Sequence, residues 1–281
     1  MSKKQLIIEK ALELFAKNGI EATSIQQITE KCGISKGAFY LSFKSKDELI
    51  FGLIDYFMSE FIANIEQSVN ERQPNDHLLY NFYHTIFHTF QKHSYFANIL
   101  IREQLKSLNL ELLERMNKYN EFLNAIIFTV VERQFPRVNE LMRADLVYII
   151  KAFMKQYGEL FFISNYRIDL AVLCHALVEK TTVIAEHTTI PFISTDILSS
   201  TNAECLSPTK EELIDLLTKK KTEVTDSIVQ QSIELLQHNL TNQQLSPAII
   251  QGLLKNVRED SHCKWVAYLY ELYVKRQMTV S

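Results

Sequence analysis

Glycine and proline are scarce in this chain, with 6 and 5 among 281 residues and the first proline only at Pro74. A protein of many short strands needs turn residues at each reversal, so this shortage excludes a sandwich or barrel and leaves helices as the default. Cysteine is also sparse. Cys32, Cys174, Cys205 and Cys263 stand far apart, with no C-x-x-C pair and no metal-finger spacing. That pattern excludes a disulfide framework and fits a reduced, cytosolic thiol set. No apolar run reaches the roughly 20 residues that span a bilayer. Even "LVYIIKAFMKQYGELFFI" is broken by Lys151, Lys155 and Glu159, and the N-terminal "MSKKQLIIEKALELFAKNG" is charged throughout, unlike a signal peptide. A cytoplasmic protein without a membrane partner is expected. G-x-S-x-G, Walker and H-E-x-x-H motifs are missing too, as is any paired-carboxylate constellation. The chain therefore does not read as an enzyme, and no cofactor or metal is expected.

What is present is apolar content of 47%, enough to bury a sizeable core in one large domain or about two ordinary ones. The net charge of −3 argues against a general nucleic-acid binder, but its distribution is uneven. Residues 1–50 hold eight lysines against six acids, or +2, and the remainder holds 22 basic and 27 acidic residues, or −5. A mildly basic head precedes an acidic body. A small cationic surface suffices to engage phosphates locally.

The head reads as three short helices and the start of a fourth. In "LIIEKALELFAKNG", Ile7, Ala11, Leu14 and Phe15 recur at helical spacing, and Asn18-Gly19 is a stop signal. Thr23-Ser24 offers an N-cap to "IQQITEKC", which Gly33 ends. Ser35 can cap "KGAFYLSF", where Phe39 and Phe43 share one face and Lys36 and Tyr40 another. Ser45-Lys46-Asp47-Glu48 has the form of a capping box and leads into a stripe through Leu49, Leu53, Phe57, Phe61 and Ile65.

Two short helices joined by a glycine turn, the second with small residues and a lysine at its start, describe a helix-turn-helix whose recognition helix enters the major groove. Gly37 and Ala38 allow close approach to base edges, the Ser35 end presents free N–H groups, and Lys36, Tyr40, Lys44 and Lys46 supply backbone contacts. Residues Leu6 to Ile54 resemble the N-terminal domain of the TetR family of transcriptional regulators. The segment "TSIQQITEKCGISKGAFYLSFKSKDELI" is similar to the family pattern T-x-x-x-I-A-x-x-A-G-V-S-K-G-x-L-Y-x-Y-F-x-S-K-E-x-L. The resemblance implies that Thr23, Ser24, Tyr40 and Lys46 bind phosphates, and that Lys36, Gly37 and Ala38 face bases. Gln27, Thr29, Leu41 and Ser42 depart from that pattern. They bear on which operator is read.

Beyond the head, the breaks predict helices over 46–70, 76–93, 95–107, 109–135, 142–165 and 168–188, then 208–220, 222–240, 247–258 and 262–277. The expected fold is all-α: a DNA-binding domain over 1–48 with its motif at 24–43, a ligand-binding and dimerisation domain over 49–191, and a helical C-terminal extension over 192–281. The segments 142–165 and 168–188 are apolar nearly all round, which predicts pairing with a second copy, and the resemblance implies the same. Aromatic residues are dense over 76–135. The resemblance implies a pocket there for a small hydrophobic or amphipathic ligand, with Phe87, Arg102, Tyr119, Phe122 and Gln156 as candidate lining residues. His77, His84 and His88 share a helical face, but Asn81 and Lys92 lie on it as well, so solvated histidines are expected rather than a metal site. The extension exceeds the usual length of the resembled family. Packing on the sensing domain, extending a dimer interface and binding another protein stay open for it, the last giving a helical adaptor as the alternative function. The leading expectation is a homodimeric repressor of a pseudo-palindromic double-stranded DNA operator, released by its ligand.

Overall fold

The computed structural model describes residues 3–70, 77–92, 110–162, 167–193, 207–242, 244–260 and 262–280. Among these there are helices and no strand. The helices are α1 (Lys3–Asn18), α2 (Ile25–Cys32), α3 (Lys36–Tyr40), α4 (Lys46–Asn70), α5 (Leu78–Lys92), α6 (Leu110–Gln134), α7 (Glu140–Gly158), α8 (Leu170–His187), α9 (Lys210–Glu223), α10 (Ser227–Asn242), α11 (Pro247–Glu259) and α12 (Lys264–Val280). A 3₁₀ turn, Glu159–Phe162, follows α7. The expected helix over 95–107 lies outside the described residues. No described helix is long and apolar enough to cross a membrane.

The chain divides into two compact units, and the division differs from the three segments expected. Met1–Glu60 groups with Pro208–Val274, and Phe61–Ser207 with Lys275–Ser281. The C-terminal helices thus cluster with the head, a partner absent from the roles left open for them by the sequence.

In the first unit, α1 places Ile7, Ala11 and Phe15 inward, and Leu49 and Leu53 of α4 are buried as well. Gly19 and Gly33 have φ of 85° and 66°, the left-handed region where a Cβ is strained, and each ends a helix. Gly52 serves closeness instead. A Cβ there would meet Phe43 Cε1 at 2.9 Å, so its absence lets the Phe43 ring lie on the α4 backbone. In the C-terminal half, Thr209 caps α9 in a reciprocal box with Glu212, and Ser246 caps α11 ahead of Pro247. Leu213, Leu217, Ile233, Leu236, Leu254, Val257 and Val266 form its core. Within that core the Asn239 amide donates to Tyr270 Oη at 3.2 Å, and the Tyr270 hydroxyl donates to Leu236 O at 3.1 Å. The helical spacing of Trp265, Tyr268, Leu269, Leu272 and Tyr273 in the sequence predicts the buried face of α12, but the observed face is rotated: Val266, Ala267 and Tyr270 join Tyr268 and Leu269, while Trp265, Leu272 and Tyr273 are half-buried.

In the second unit, α5 buries Leu78, Leu79, Phe82, Tyr83, Ile86 and Phe87. Tyr83 Oη and Thr181 Oγ1 of α8 are 2.7 Å apart, which satisfies both hydroxyls in the core. Phe90 lies against α7, where a Cβ at Gly158 would sit 2.8 Å from its ring. The opposite faces of α7 and α8 remain uncovered. Leu141 and Tyr148 are two turns apart on α7, Val172 and Val183 three turns apart on α8, and all four are exposed.

Candidate nucleic-acid interface

Each short helix of the head is fixed by a side chain at its start. Ser24 caps α2: Gln27 N–H donates to Ser24 Oγ at 3.2 Å, and Ser24 N–H donates to Gln27 Oε1 at 2.7 Å. Gln27, a departure from the family pattern, therefore does a carboxylate's capping work with an amide oxygen. The other departure in α2, Thr29, is buried and donates its hydroxyl to Gln26 O at 2.9 Å. Gly33 turns the chain, and Ser35 Oγ then accepts Ala38 N–H at 3.1 Å to start α3. That helix spans five residues, shorter than the expected eight, because the chain passes into a turn at Leu41 and Ser42. Phe43 N–H still donates to Phe39 O at 2.9 Å, so the two rings are held together, 6.0 Å apart and fully buried.

Burial of Phe39 and Phe43 decides what faces outward. Lys36, Gly37 and Tyr40 are exposed on α3, and Ala38 is half-exposed. Gly37 has no need of its missing side chain within the fold, since a Cβ would meet only Ser35 Oγ at 3.8 Å and its φ is not positive. Its smallness has use only toward something outside the chain. Leu41, the next residue after α3, is 89% exposed, a large apolar side chain with no packing role here.

Lys44 is exposed and Lys46 half-buried, with Lys46 Nζ donating to Glu21 O at 3.5 Å. The capping box at the start of α4 is only half formed. Glu48 N–H donates to Ser45 Oγ at 3.0 Å, but the Glu48 carboxylate accepts Lys44 N–H at 2.6 Å instead of returning to Ser45. That bond fixes the Lys44 backbone beside α3. Thr23 departs from the expected phosphate contact. It is fully buried, and its hydroxyl donates to Gly19 O at 2.8 Å, so it locks the turn between α1 and α2 while Ser24 alone faces solvent.

One cation was not foreseen. Lys4 of α1 places Nζ 4.8 Å from the centroid of the Phe43 ring, directly behind the turn that leaves α3. Burial and the nearby charge of Lys219 hold its ammonium below the usual lysine range. Nothing in the linear pattern pointed to this, because Lys4 and Phe43 belong to different elements and meet only in the folded chain.

Of the candidate lining residues in the body, Phe87 and Phe122 are fully buried and Tyr119 nearly so. Phe87 stacks on Phe161 at 5.9 Å, and Phe61 stacks on Phe90 at 5.6 Å. Gln156 stands apart from these rings. It is exposed at the end of α7 and donates to Glu159 at 3.0 Å. Arg102 lies outside the described residues. A cation overlooked in the sequence is Lys151, half-buried, whose Nζ donates to the neutral Asn124 Oδ1 at 2.7 Å. Burial holds its ammonium below the usual lysine range. The histidines do not converge: His77 and His88 are exposed, and the His84 and His88 rings stack at 5.8 Å. Among the described residues no group of three His, Cys, Asp or Glu side chains is arranged to hold a metal.

Comparison with known proteins bears on this geometry. The family model described as bacterial regulatory proteins, tetR family, matches residues 7–53, the span built above. The HTH-type transcriptional regulator YerO of Bacillus subtilis is 27% identical over 264 residues, covering 91% of this chain and 89% of YerO. YuxN, an HTH-type transcriptional regulator of the same organism, is 23% identical over 92% of each chain. Both similarities leave less than a tenth of this chain outside, so they take in most of residues 192–281. The crystal structure of the transcriptional regulator FadR from Bacillus subtilis in complex with stearoyl-CoA shares the fold, with a TM-score of 0.56 and 20% identity. It covers 66% of this chain and all of FadR.

Proposed function

We propose that this chain, a transcriptional regulator of the tetR family, is a homodimeric, ligand-released repressor that reads a pseudo-palindromic operator with α3 from two copies. The observation that carries the reading is the outward set Lys36, Gly37, Ala38 and Tyr40 set against the buried pair Phe39 and Phe43. A five-residue helix whose apolar residues are spent inward offers only small, hydroxylated and cationic groups to a partner. Those groups suit base edges approached closely and phosphates approached by charge. Ser24, Ser35, Lys44 and Lys46 surround the helix as further phosphate contacts.

The second copy is expected through α7 and α8. Leu141, Tyr148, Val172 and Val183 form an exposed apolar face on adjacent helices, of the kind that a two-fold partner covers with its own copy. Two recognition helices related by that axis match two half-sites.

For release, the buried rings of Phe87, Tyr119 and Phe122 are the proposed receivers of a small hydrophobic or amphipathic ligand, the class to which the stearoyl-CoA bound by FadR belongs. Helix α4 contributes residues to both units, so a ligand that favours one arrangement of the body acts on the head through a continuous helix. A 100-fold loss of operator affinity requires about 2.7 kcal/mol of such coupling. Binding to DNA places the working chain in the cytoplasm.

The test is fluorescence anisotropy of the full-length chain on a duplex from the region upstream of its own gene, as a function of salt. Wild type binds with a steep salt dependence, and Tyr40→Phe with Lys46→Ala binds more weakly and less steeply. An unchanged slope in the double variant removes those two residues from the interface.

A further inference from the structure

Around α3 the side chains fall on separate lines, and one of these lines does nothing for the chain's own structure. Phe39 is fully buried and, with Phe43, holds the helix to the core. Lys36 and Tyr40 are one turn apart on a second line and both are tied to the fold: Lys36 Nζ donates to Gln26 Oε1 at 3.3 Å, and the Tyr40 ring meets Phe39 edge to face, with centroids 5.5 Å apart. Gly37 and Leu41 make the third. Leu41 stands just past the last residue of α3 but keeps helical backbone angles, with φ of −69° and ψ of −25°, and its N–H donates to Gly37 O at 3.2 Å. It therefore lies one turn beyond Gly37 on the same line. Each is two residues from Phe39, which at about 100° per residue is nearly the opposite side of the helix.

A single exposed leucine needs no explanation in general. This one is 89% exposed, against 50% for Tyr40, the next large apolar side chain of the head among the described residues. It also belongs to the line of α3 that points away from the core, the line nearest to base edges when the helix lies in a major groove. Gly37 allows the backbone to come close but has no side chain to read with. Leu41 supplies the reach, yet it can neither donate nor accept a hydrogen bond. Most of what a base pair shows in the major groove is donors and acceptors, which a leucine would strip of water without replacing. The one apolar group there is the C5 methyl of thymine.

We propose that Leu41 is a specificity-determining residue that reads a thymine by its C5 methyl, once in each half-site of the operator. Tyr40 and the lysines hold the duplex through its phosphates, Gly37 sets the approach, and Leu41 adds a preference for an A·T pair at one position. In unmodified DNA thymine alone carries the methyl that this contact needs. The assignment rests on the DNA-binding reading above and concerns which base is read rather than whether DNA is bound.

The experiment uses the full-length chain and the duplex it enriches from a random pool of unmodified DNA. Each thymine of that duplex is replaced in turn by deoxyuridine, which keeps the base pair and removes only the methyl. Affinity is measured by fluorescence anisotropy against salt for wild type, Leu41→Ala and Leu41→Met, with a thermal melt of each. Wild type is expected to lose affinity about fourfold at one thymine in each half-site, the worth of one buried methyl. Leu41→Ala is expected to bind the thymine duplex more weakly and to lose its sensitivity at that thymine alone. Its salt slope and melt stay those of wild type, because no phosphate contact and no packing is removed. Leu41→Met, still long and apolar, keeps the sensitivity. If no single uracil costs wild type affinity, or if Leu41→Ala keeps the wild-type loss at every thymine, methyl reading by Leu41 is refuted. Weaker binding by Tyr40→Phe with Lys46→Ala then shows that the DNA-binding reading stands without it. A wild-type chain that enriches no duplex refutes both.

Discussion

Tyr56 of α4 and His262, just ahead of α12, meet with Oη and Nδ1 3.3 Å apart and rings 5.7 Å between centroids. The two residues are 206 positions apart in the chain and join the longest helix of the head to the C-terminal half of the same unit. His262 N–H in turn donates to Asp260 Oδ1 at 2.8 Å, which fixes the turn that carries the imidazole. Burial, with Glu60, Glu9 and Asp260 nearby, pushes the Tyr56 phenol well above its ordinary pKa, so it stays a neutral hydroxyl. Replacing Tyr56 by Phe removes the hydroxyl's bond to His262 and leaves the tilted ring contact. The expected cost is about 0.5–1.5 kcal/mol in urea unfolding. His262→Ala removes both the bond and the ring contact and is expected to cost more. Equal stability of the two variants and wild type would mean that the contact does not hold the halves together.

Two glycines four residues apart should behave oppositely. Gly33 has φ of 66° and ends α2, so Gly33→Ala is expected to destabilise the head by about 1–2 kcal/mol. Gly37 lies in α3 with room for a Cβ, so Gly37→Ala is expected to leave the melt unchanged or raised, since alanine favours helix by up to about 1 kcal/mol. It should nevertheless weaken DNA binding at least tenfold if bases approach that backbone. A Gly37→Ala variant with wild-type affinity removes close approach from the mechanism.

The exposed face of α7 and α8 predicts the oligomeric state. Tyr148→Glu with Val172→Asp places charges where a second copy is expected to lie, and neither residue supports the core of its own chain. Sedimentation should shift from dimer to monomer while the far-UV helical signal stays. Operator affinity should fall steeply, because each half-site alone is bound weakly. A dimer that persists in this variant places the interface elsewhere.

Two buried thiols report separately on the two units. Cys174 in α8 is pushed up by burial to about 11, and Cys263 beside α12 to about 12, where Asp260 adds to burial. Both are fully buried. At pH 8 neither is a thiolate, so a disulfide reagent should reach them only through opening of the unit that holds each. Tyr56→Phe is expected to speed the reaction of Cys263 and leave Cys174 unchanged. Equal acceleration of both would mean that the two units open together.

Much of this was legible in the chain itself, for identifiable reasons. Helix ends were readable where a capping side chain or a left-handed glycine marks them: Ser24, Gly33, Ser35 and Ser246 each stand at a boundary. The partition of α3 followed from the four-residue spacing of Phe39 and Phe43. What could not be read was long-range pairing. Thr23 resembles a surface cap in sequence, yet its hydroxyl is taken within the turn itself, by Gly19 O four residues back. The meeting of Tyr56 with His262 is a contact across 206 residues, which no periodicity encodes. The rotated face of α12 has the same origin, since its buried set is chosen by the neighbours it meets.

The most direct test of the account is a quantitative mobility shift of the full-length chain on the upstream duplex against a scrambled duplex of equal length, with stoichiometry measured in the same samples. The account predicts two chains per bound site and a preference for the upstream duplex that persists at moderate salt. A monomeric chain that binds both duplexes equally, or neither, contradicts it.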